Sequence, residues 1–142
     1  EEFAKLMSEA VELDPDNPAL FFNLGVISGE QGDVEKAKEY YRRAIELDPN
    51  YVDAYINLGS AMLDADKELV EDMNKNLNNF DKYDEIKAKQ VALYKEVIPL
   101  YEKAYEVRPD DLDTIRTLMS LYENTGMDDK FQDMKSKYDS LK

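Results

Sequence analysis

The sequence predicts an all-α solenoid made of helix-turn-helix units, and two observations support this prediction. The first is an internal repeat with a period of 34 residues. Four residues of the first copy return in the second as Tyr55, Asn57, Leu58 and Gly59, in the places of Phe21, Asn23, Leu24 and Gly25. The second is the spacing of apolar residues by three and four positions, which is typical of amphipathic helices. A period of this length indicates helix pairs that bury a core by stacking on their neighbours.

Residues 1–16 are predicted to hold the second helix of a truncated repeat. Phe3 and Met7 stand one period before Ala37 and Tyr41, which belong to the second helix of the next unit. The first helix of this unit is absent from the sequence, so we expect the chain to be a fragment of a longer protein. We also expect residues 1–13 to have an uncovered apolar face, formed by Phe3, Leu6, Met7 and Ala10.

Residues 17–50 are predicted to form a complete repeat. Its first helix begins at Asn17 and Pro18, because Asn caps helices and Pro is tolerated at the first helical position. The turn is expected at Gly32. The second helix then has an apolar stripe at every third or fourth position and ends before Pro49.

Residues 51–110 are predicted to be a repeat with about 26 extra residues that lengthen both of its helices. The prolines that close successive repeats, Pro49 and Pro109, are 60 residues apart, 26 more than one period. Apolar residues continue through the excess at helical spacing, including Leu77 and Phe80. The sequence therefore predicts two long antiparallel helices that share one apolar seam and reverse direction at residues 78–81.

Residues 111–142 are predicted to be a degenerate terminal repeat. Met119 stands where the earlier units have Gly25 and Gly59, and Phe131 stands where Ala37 does. Terminal repeats are commonly atypical because one of their faces meets water.

The composition excludes several classes of function. The formal net charge of −14 opposes binding to a phosphate backbone, so no nucleic-acid partner is expected. The chain has no His and no Cys, and no phosphate-binding loop, so we expect no enzyme activity, no catalytic residue and no cofactor. Its aspartate clusters lack the Gly and Glu of an EF-hand, so no metal site is expected. No apolar run is long enough to span a membrane. We expect a soluble protein, of either the cytoplasm or the periplasm.

The repeat resembles the tetratricopeptide repeat family, through the aromatic residue, the Leu-Gly pair and the closing Pro of its period. The resemblance implies a right-handed solenoid, from a bacterial repeat protein, whose first helices line a ligand groove. Carried onto this chain, ten groove residues are Phe22, Asn23, Val26, Asp53, Ile56, Asn57, Ser60, Asp113, Arg116 and Ser120. Family members use amides at the positions of Asn23 and Asn57 to hold a peptide backbone.

The expected function is a protein-protein interaction module that binds a peptide or protein segment in this groove. The co-chaperone members of the family hold a carboxylate with several basic groove residues. In this chain Asp53 and Asp113 occupy positions where those members have basic residues, and Arg116 is the one basic residue among the ten. We therefore expect no binding of an acidic chaperone tail. The alternative is a structural role, in which residues 1–13 or the lengthened hairpin mediate self-association.

Overall fold

A computed structural model describes residues 2–142. Within that range the chain forms eight α-helices and no strand, which confirms the all-α prediction. The chain divides into two compact units, one ending at Ala61 and the other beginning at Met62. The helices are α1 (Glu2–Leu13), α2 (Pro18–Glu30), α3 (Val34–Leu47), α4 (Val52–Leu63), α5 (Asp66–Lys75), α6 (Phe80–Val107), α7 (Leu112–Asn124) and α8 (Asp128–Leu141).

In the first unit, α2 and α3 form a hairpin, and α2 begins with the cap that the sequence predicts. The Asn17 side chain accepts hydrogen bonds from two backbone N–H groups of the first turn of α2, at 3.0 and 3.3 Å, and Pro18 follows it. Gly32 takes a φ of +83° in the turn, a conformation that glycine adopts without a steric cost. Asp33 then caps α3 by accepting from the Lys36 N–H at 3.1 Å.

Three residues from successive helices form a buried cluster of the first unit: Phe21 on α2, Ala44 on α3 and Ala54 on α4. Partly buried Val11 of α1 and Tyr51, which precedes α4, pack against this cluster. Small residues at positions 44 and 54 let the helices approach closely around the Phe21 ring. The aromatic residues Phe21 and Tyr41 are both buried.

Helix α1 buries part of the apolar face that was expected to be open. Met7, predicted to lie on the uncovered face, is buried in the first unit. Leu6, predicted on the same face, is 57% exposed, and Leu13 at the end of the helix is 86% exposed. Packing in the first unit therefore covers Met7 and leaves Leu6 accessible.

The sequence predicted that the extra residues lengthen both helices of their repeat, and the structure shows that they do not. The outgoing segment breaks after α4, and a separate helix α5 begins at Asp66. At the break the Ala65 and Lys67 N–H groups bond to carbonyls three residues back, Met62 and Asp64. Two aspartates flank Ala65, and Asp favours helix ends over helix interiors, which accounts for the interruption.

The chain reverses direction at residues 76–79, two residues earlier than predicted. Asn79 caps the long helix α6, accepting from the Lys82 N–H at 3.2 Å. Because the reversal comes early, Leu77 and Phe80 lie outside the seam between α5 and α6 and are 60% and 77% exposed. Met73 and Ile86 are buried, so the seam exists below the tip of the hairpin.

Helices α7 and α8 complete the second unit. Asp111 caps α7 by accepting from the Thr114 N–H, and Gly126 has a φ of +70° in the turn before α8. Glu102 of α6 accepts from the Tyr122 hydroxyl at 2.7 Å and from the Lys130 ammonium at 2.9 Å. This carboxylate therefore joins α6, α7 and α8.

Candidate functional site

None of the ten predicted groove residues is buried. On α2, Asn23 is exposed and Phe22 and Val26 are half-buried. On α4, Asp53 and Ser60 are exposed, and Ile56 and Asn57 are half-buried. On α7, Asp113, Arg116 and Ser120 are exposed. Their neighbours in sequence at positions 21, 24, 54, 58, 115 and 118 are buried, so each of these helices has its apolar face inside and the predicted residues at its surface.

The first unit brings Phe22 and Asn57 to the same side chain, Tyr41. The ring centroids of Phe22 and Tyr41 are 5.9 Å apart, and the Asn57 amide donates to the Tyr41 hydroxyl at 3.5 Å. Burial raises the pKa of the Tyr41 hydroxyl above its ordinary value. Asn57 thus has a partner inside the fold, and the rest of its amide remains for a ligand.

Tyr51 completes this aromatic cluster, and the sequence reasoning missed it. Its ring centroid lies 5.2 Å from that of Phe22. Burial raises the pKa of the Tyr51 hydroxyl, and Asp53 and Asp48 raise it further. The residue stands one period after Asn17, in the segment before a first helix, and an aromatic at that place was the signal that could have found it.

The second unit contains a cavity of about 330 Å³ that includes two of the predicted residues. It is lined by Leu63, Asp66, Tyr94, Arg116, Thr117, Ser120 and Leu121. Asp113 pairs with Arg116 instead, with 3.1 Å between carboxylate Oδ1 and guanidinium Nη1. Asp66 and Tyr94 were not predicted, because they belong to the extra residues, for which the repeat offers no equivalent position.

A chain of hydrogen bonds holds the Asp66 carboxylate in the wall of this cavity. The Tyr94 hydroxyl donates to Oδ2 at 2.8 Å and the Gln90 amide donates to Oδ1 at 2.7 Å. Lys87 donates to the carbonyl oxygen of the same Gln90 amide at 2.6 Å. Burial and the bond to Asp66 raise the pKa of Tyr94 to about 12, so Tyr94 acts as a neutral donor.

A further cavity of about 490 Å³ lies in the first unit, among α1, α2 and α3. Its walls combine apolar side chains, such as Phe3, Met7 and Phe21, with the polar ends of Lys36 and Tyr40. The described lining residues include none of the ten predicted groove positions. Resemblance to the family points to first helices, whereas this cavity lies between a first helix and two second helices.

Two of the clustered aspartates, Asp14 and Asp64, bond to neighbouring residues of the fold. Asp14 accepts from the Asn17 amide at 2.8 Å, and Asp64 pairs with Lys67 at 2.8 Å. Across residues 2–142, no three acidic side chains gather in a way that could hold a metal ion. Within the same residues, every helix is too short or too polar to cross a membrane.

Comparison with known proteins identifies the repeat. A family model described as tetratricopeptide repeat matches residues 6–39, and one described as TPR repeat matches residues 27–65. The photosystem I assembly protein Ycf3 of Acaryochloris marina is 45% identical over 51 residues, 35% of this chain and 31% of Ycf3. An uncharacterized protein of Methanocaldococcus jannaschii is 50% identical over 42 residues, 30% of this chain and 49% of that protein. The matched region spans less than half of each relative.

Solved structures share the fold. A mutant of MamA is 20% identical and superposes with a TM-score of 0.57, covering 97% of this chain and 82% of MamA. A monomeric mutant of IFIT1 with Gppp-AAAA is 18% identical with a TM-score of 0.61, covering 99% of this chain and 29% of IFIT1. At these identities the likeness concerns the fold alone. The family models show that residues 6–65 of this chain consist of tetratricopeptide repeats, and the solved structures share its all-α fold.

Proposed function

We propose that this chain is a non-catalytic protein-interaction module that binds a peptide or protein segment through the surface residues of its first helices. The observation that carries the proposal is the accessibility of all ten predicted groove residues beside buried neighbours. Tetratricopeptide repeats are generally a protein-interaction fold, and the similar protein Ycf3 is a photosystem I assembly protein.

The charge of the surface favours a basic or amphipathic segment over an acidic one. The chain has a formal net charge of −14. Of the ten proposed residues, two are aspartates and one is an arginine, and Asp113 already pairs with that arginine. The half-buried aromatic Phe22 offers an apolar contact in the first unit. Complementary charge chiefly sets partner choice and association rate.

Capture of partners from the native cell tests this function. The bait is the wild-type chain, a double variant Asn23→Ala with Asn57→Ala, and a control variant Asn74→Ala. Asn74 is exposed on α5, outside the proposed surface, and its change is chemically the same. We expect one protein to be retained by wild type and control and lost from the double variant. That protein is then purified and titrated against the three chains. Equal affinity for all three would contradict the proposal.

Self-association through α1 is a second candidate, favoured by Leu6 and Leu13. These exposed leucines are seven residues apart and so lie on one face of the helix. A second copy of the chain could cover both in a symmetric pair of helices. Sedimentation equilibrium should then show a dimer that dissociates in the variants Leu6→Ser and Leu13→Ser and persists in Lys5→Ser. A wild-type monomer at high concentration excludes this role.

A further inference from the structure

We propose that the cavity among α5, α6 and α7 is a subsite for a cationic side chain, arginine or lysine, of the bound segment, with Asp66 as its ion-pair partner. This inference rests on the proposed function and specifies the chemistry of the ligand. Its basis is the position of one carboxylate and the nature of the groups around it.

Asp66 has a negative charge that its neighbours do not neutralise. Its two hydrogen bonds come from neutral donors, the Tyr94 hydroxyl and the Gln90 amide. Among the described residues, no lysine or arginine forms an ion pair with it. The nearest cation in sequence, Lys67, pairs with Asp64 at 2.8 Å. An ionised carboxylate has about four acceptor sites, so Asp66 retains capacity for a further donor.

The cation on the same cavity wall, Arg116, is already engaged. Its guanidinium pairs with Asp113 at 3.1 Å and lies 5.8 Å from the centroid of the Tyr138 ring. The Tyr138 hydroxyl also accepts from Arg116 Nη2 at 3.5 Å. These contacts orient Arg116 toward α8 and its own aspartate, so Asp66 remains the site for an incoming cation.

Asp66 is held in a fixed orientation before any ligand binds. Gln90, which is only 4% exposed, donates to one carboxylate oxygen while its own carbonyl accepts from Lys87. Tyr94 fixes the other oxygen. A carboxylate already oriented by its neighbours loses little conformational freedom when a ligand donates to it, which favours binding.

The remaining walls suit the rest of such a side chain. Leu63 and Leu121 provide apolar surface for the methylene stem, and Lys and Arg stems pack well along apolar side chains. Ser120 supplies a hydroxyl that can accept a further hydrogen bond from a guanidinium or ammonium group. The volume of about 330 Å³ lies at the lower end of the range common for ligand pockets, about 300–1,000 Å³.

Short peptides that differ at one position test the subsite. The probes are acetylated, amidated pentapeptides with alanine at four positions and arginine, lysine, citrulline or glutamate at the centre. Citrulline has nearly the shape of arginine without its charge. Heteronuclear NMR titration follows the amide signals of Thr117, Ser120 and Leu121. We expect arginine or lysine to bind about tenfold more tightly than citrulline, with glutamate weakest.

Matched variants locate the effect. Asp66→Asn should remove the preference for arginine over citrulline, whereas Asp64→Asn, which changes an exposed aspartate already paired with Lys67, should preserve it. The wild-type preference should also weaken with added salt, a readout that needs no variant to fold. Equal binding of arginine and citrulline by the wild type would overturn the subsite, as would an equal loss in both variants.

The two proposals fail separately. A partner that binds through Asn23 and Asn57 while the peptides show no charge preference would remove the subsite and keep the interaction module. Conversely, a clear preference for arginine in the cavity, with no partner sensitive to Asn23 and Asn57, would support the subsite as a cation site and contradict the proposed function.

Discussion

The ring of Tyr41 lies directly against the backbone of Gly25. A Cβ atom at position 25 would come within 2.5 Å of Cε1 and 2.7 Å of Cδ1 of that ring, closer than carbon atoms can pack. Tyr41 is buried and bonded to Asn57, so it cannot easily withdraw. The close approach of α2 and α3 at this glycine therefore depends on the absence of a side chain.

Replacing Gly25 by Ala should lower the free energy of unfolding by about 1–3 kcal/mol, as overpacking does elsewhere, and Gly25→Leu should cost more. Gly29→Ala is the matched control on the same helix. Its Cβ would sit 3.8 Å from that of Ala37, an ordinary contact, and Ala favours the helix over Gly by roughly 1 kcal/mol. Urea unfolding of both variants checks this. If Gly25→Ala were as stable as Gly29→Ala, the Gly25 contact would be wrong.

Stability should decline at alkaline pH. The pKa of Tyr94 rises from 10.0 to about 12 on folding, so the folded chain holds this proton more tightly than the unfolded chain does. This contribution is complete below pH 10.0 and is lost as the pH rises toward about 12. Burial also raises the pKa of Tyr41, Tyr51, Tyr101 and Tyr122, which act in the same direction.

Urea unfolding at increasing pH measures this decline. Tyr94→Phe should have a shallower dependence on pH above 10.0, by at most one proton, because the phenol is gone. Asp66→Asn should shift the ionisation of Tyr94 to lower pH, seen in the near-ultraviolet absorbance of tyrosinate, because it removes the charged acceptor. An unchanged pH dependence in Tyr94→Phe would refute the assignment.

The hairpin of α5 and α6 should respond to substitution below its tip and not at it. Ile86 is 3% exposed in the seam, and truncating such a residue to Ala costs about 2–5 kcal/mol. Phe80, which is exposed, should tolerate Phe80→Ala with a change in the free energy of unfolding within about 0.5 kcal/mol. Urea unfolding of both variants measures the difference, and an equal loss in both would contradict the position of the seam.

The break between α4 and α5 should appear in backbone chemical shifts as a helix end at Leu63 and a new start at Asp66. Continuous helix through residue 65 would disprove the break.

Peptides that end in an acidic chaperone-type tail should bind no better than scrambled ones. The guanidinium of Arg116 is paired with Asp113, and the net charge of −14 repels an acidic ligand. Calorimetric titration at high salt, where this repulsion is screened, gives the most demanding comparison. Micromolar affinity for the acidic tail alone would show that this interpretation of the surface is mistaken.

Local signals made much of the fold predictable. Asn17 with Pro18 and the turn at Gly32 act through the backbone next to them, so their positions in sequence were enough. The division into repeats rests on the same period and stays a prediction, as does ligand binding by the ten surface residues. The burial of Met7 beside an exposed Leu6 was not predictable, because both residues are apolar and tertiary packing selects between them.

The inserted segment shows why the rest escaped prediction. Asp66 bonds to Gln90 and Tyr94, which lie 24 and 28 residues away, and no local pattern encodes such a pairing. The predicted seam includes Leu77 and Phe80 because their spacing is helical. Spacing alone does not show where the chain turns, and the structure exposes both residues. Tyr51 had a weak signal in its repeat position, whereas the cavity of the second unit had none.

The bond between Tyr94 and Asp66 also has a consequence for how such a protein can change over time. It closes a detour of 28 residues at its base, so the chain leaves and returns at almost the same point. In a repeat protein most added sequence shifts every later unit out of step with the one before it. An inserted hairpin whose two ends lie close together avoids this shift. Evolution could therefore add, lengthen or remove such a hairpin without changing the other repeats.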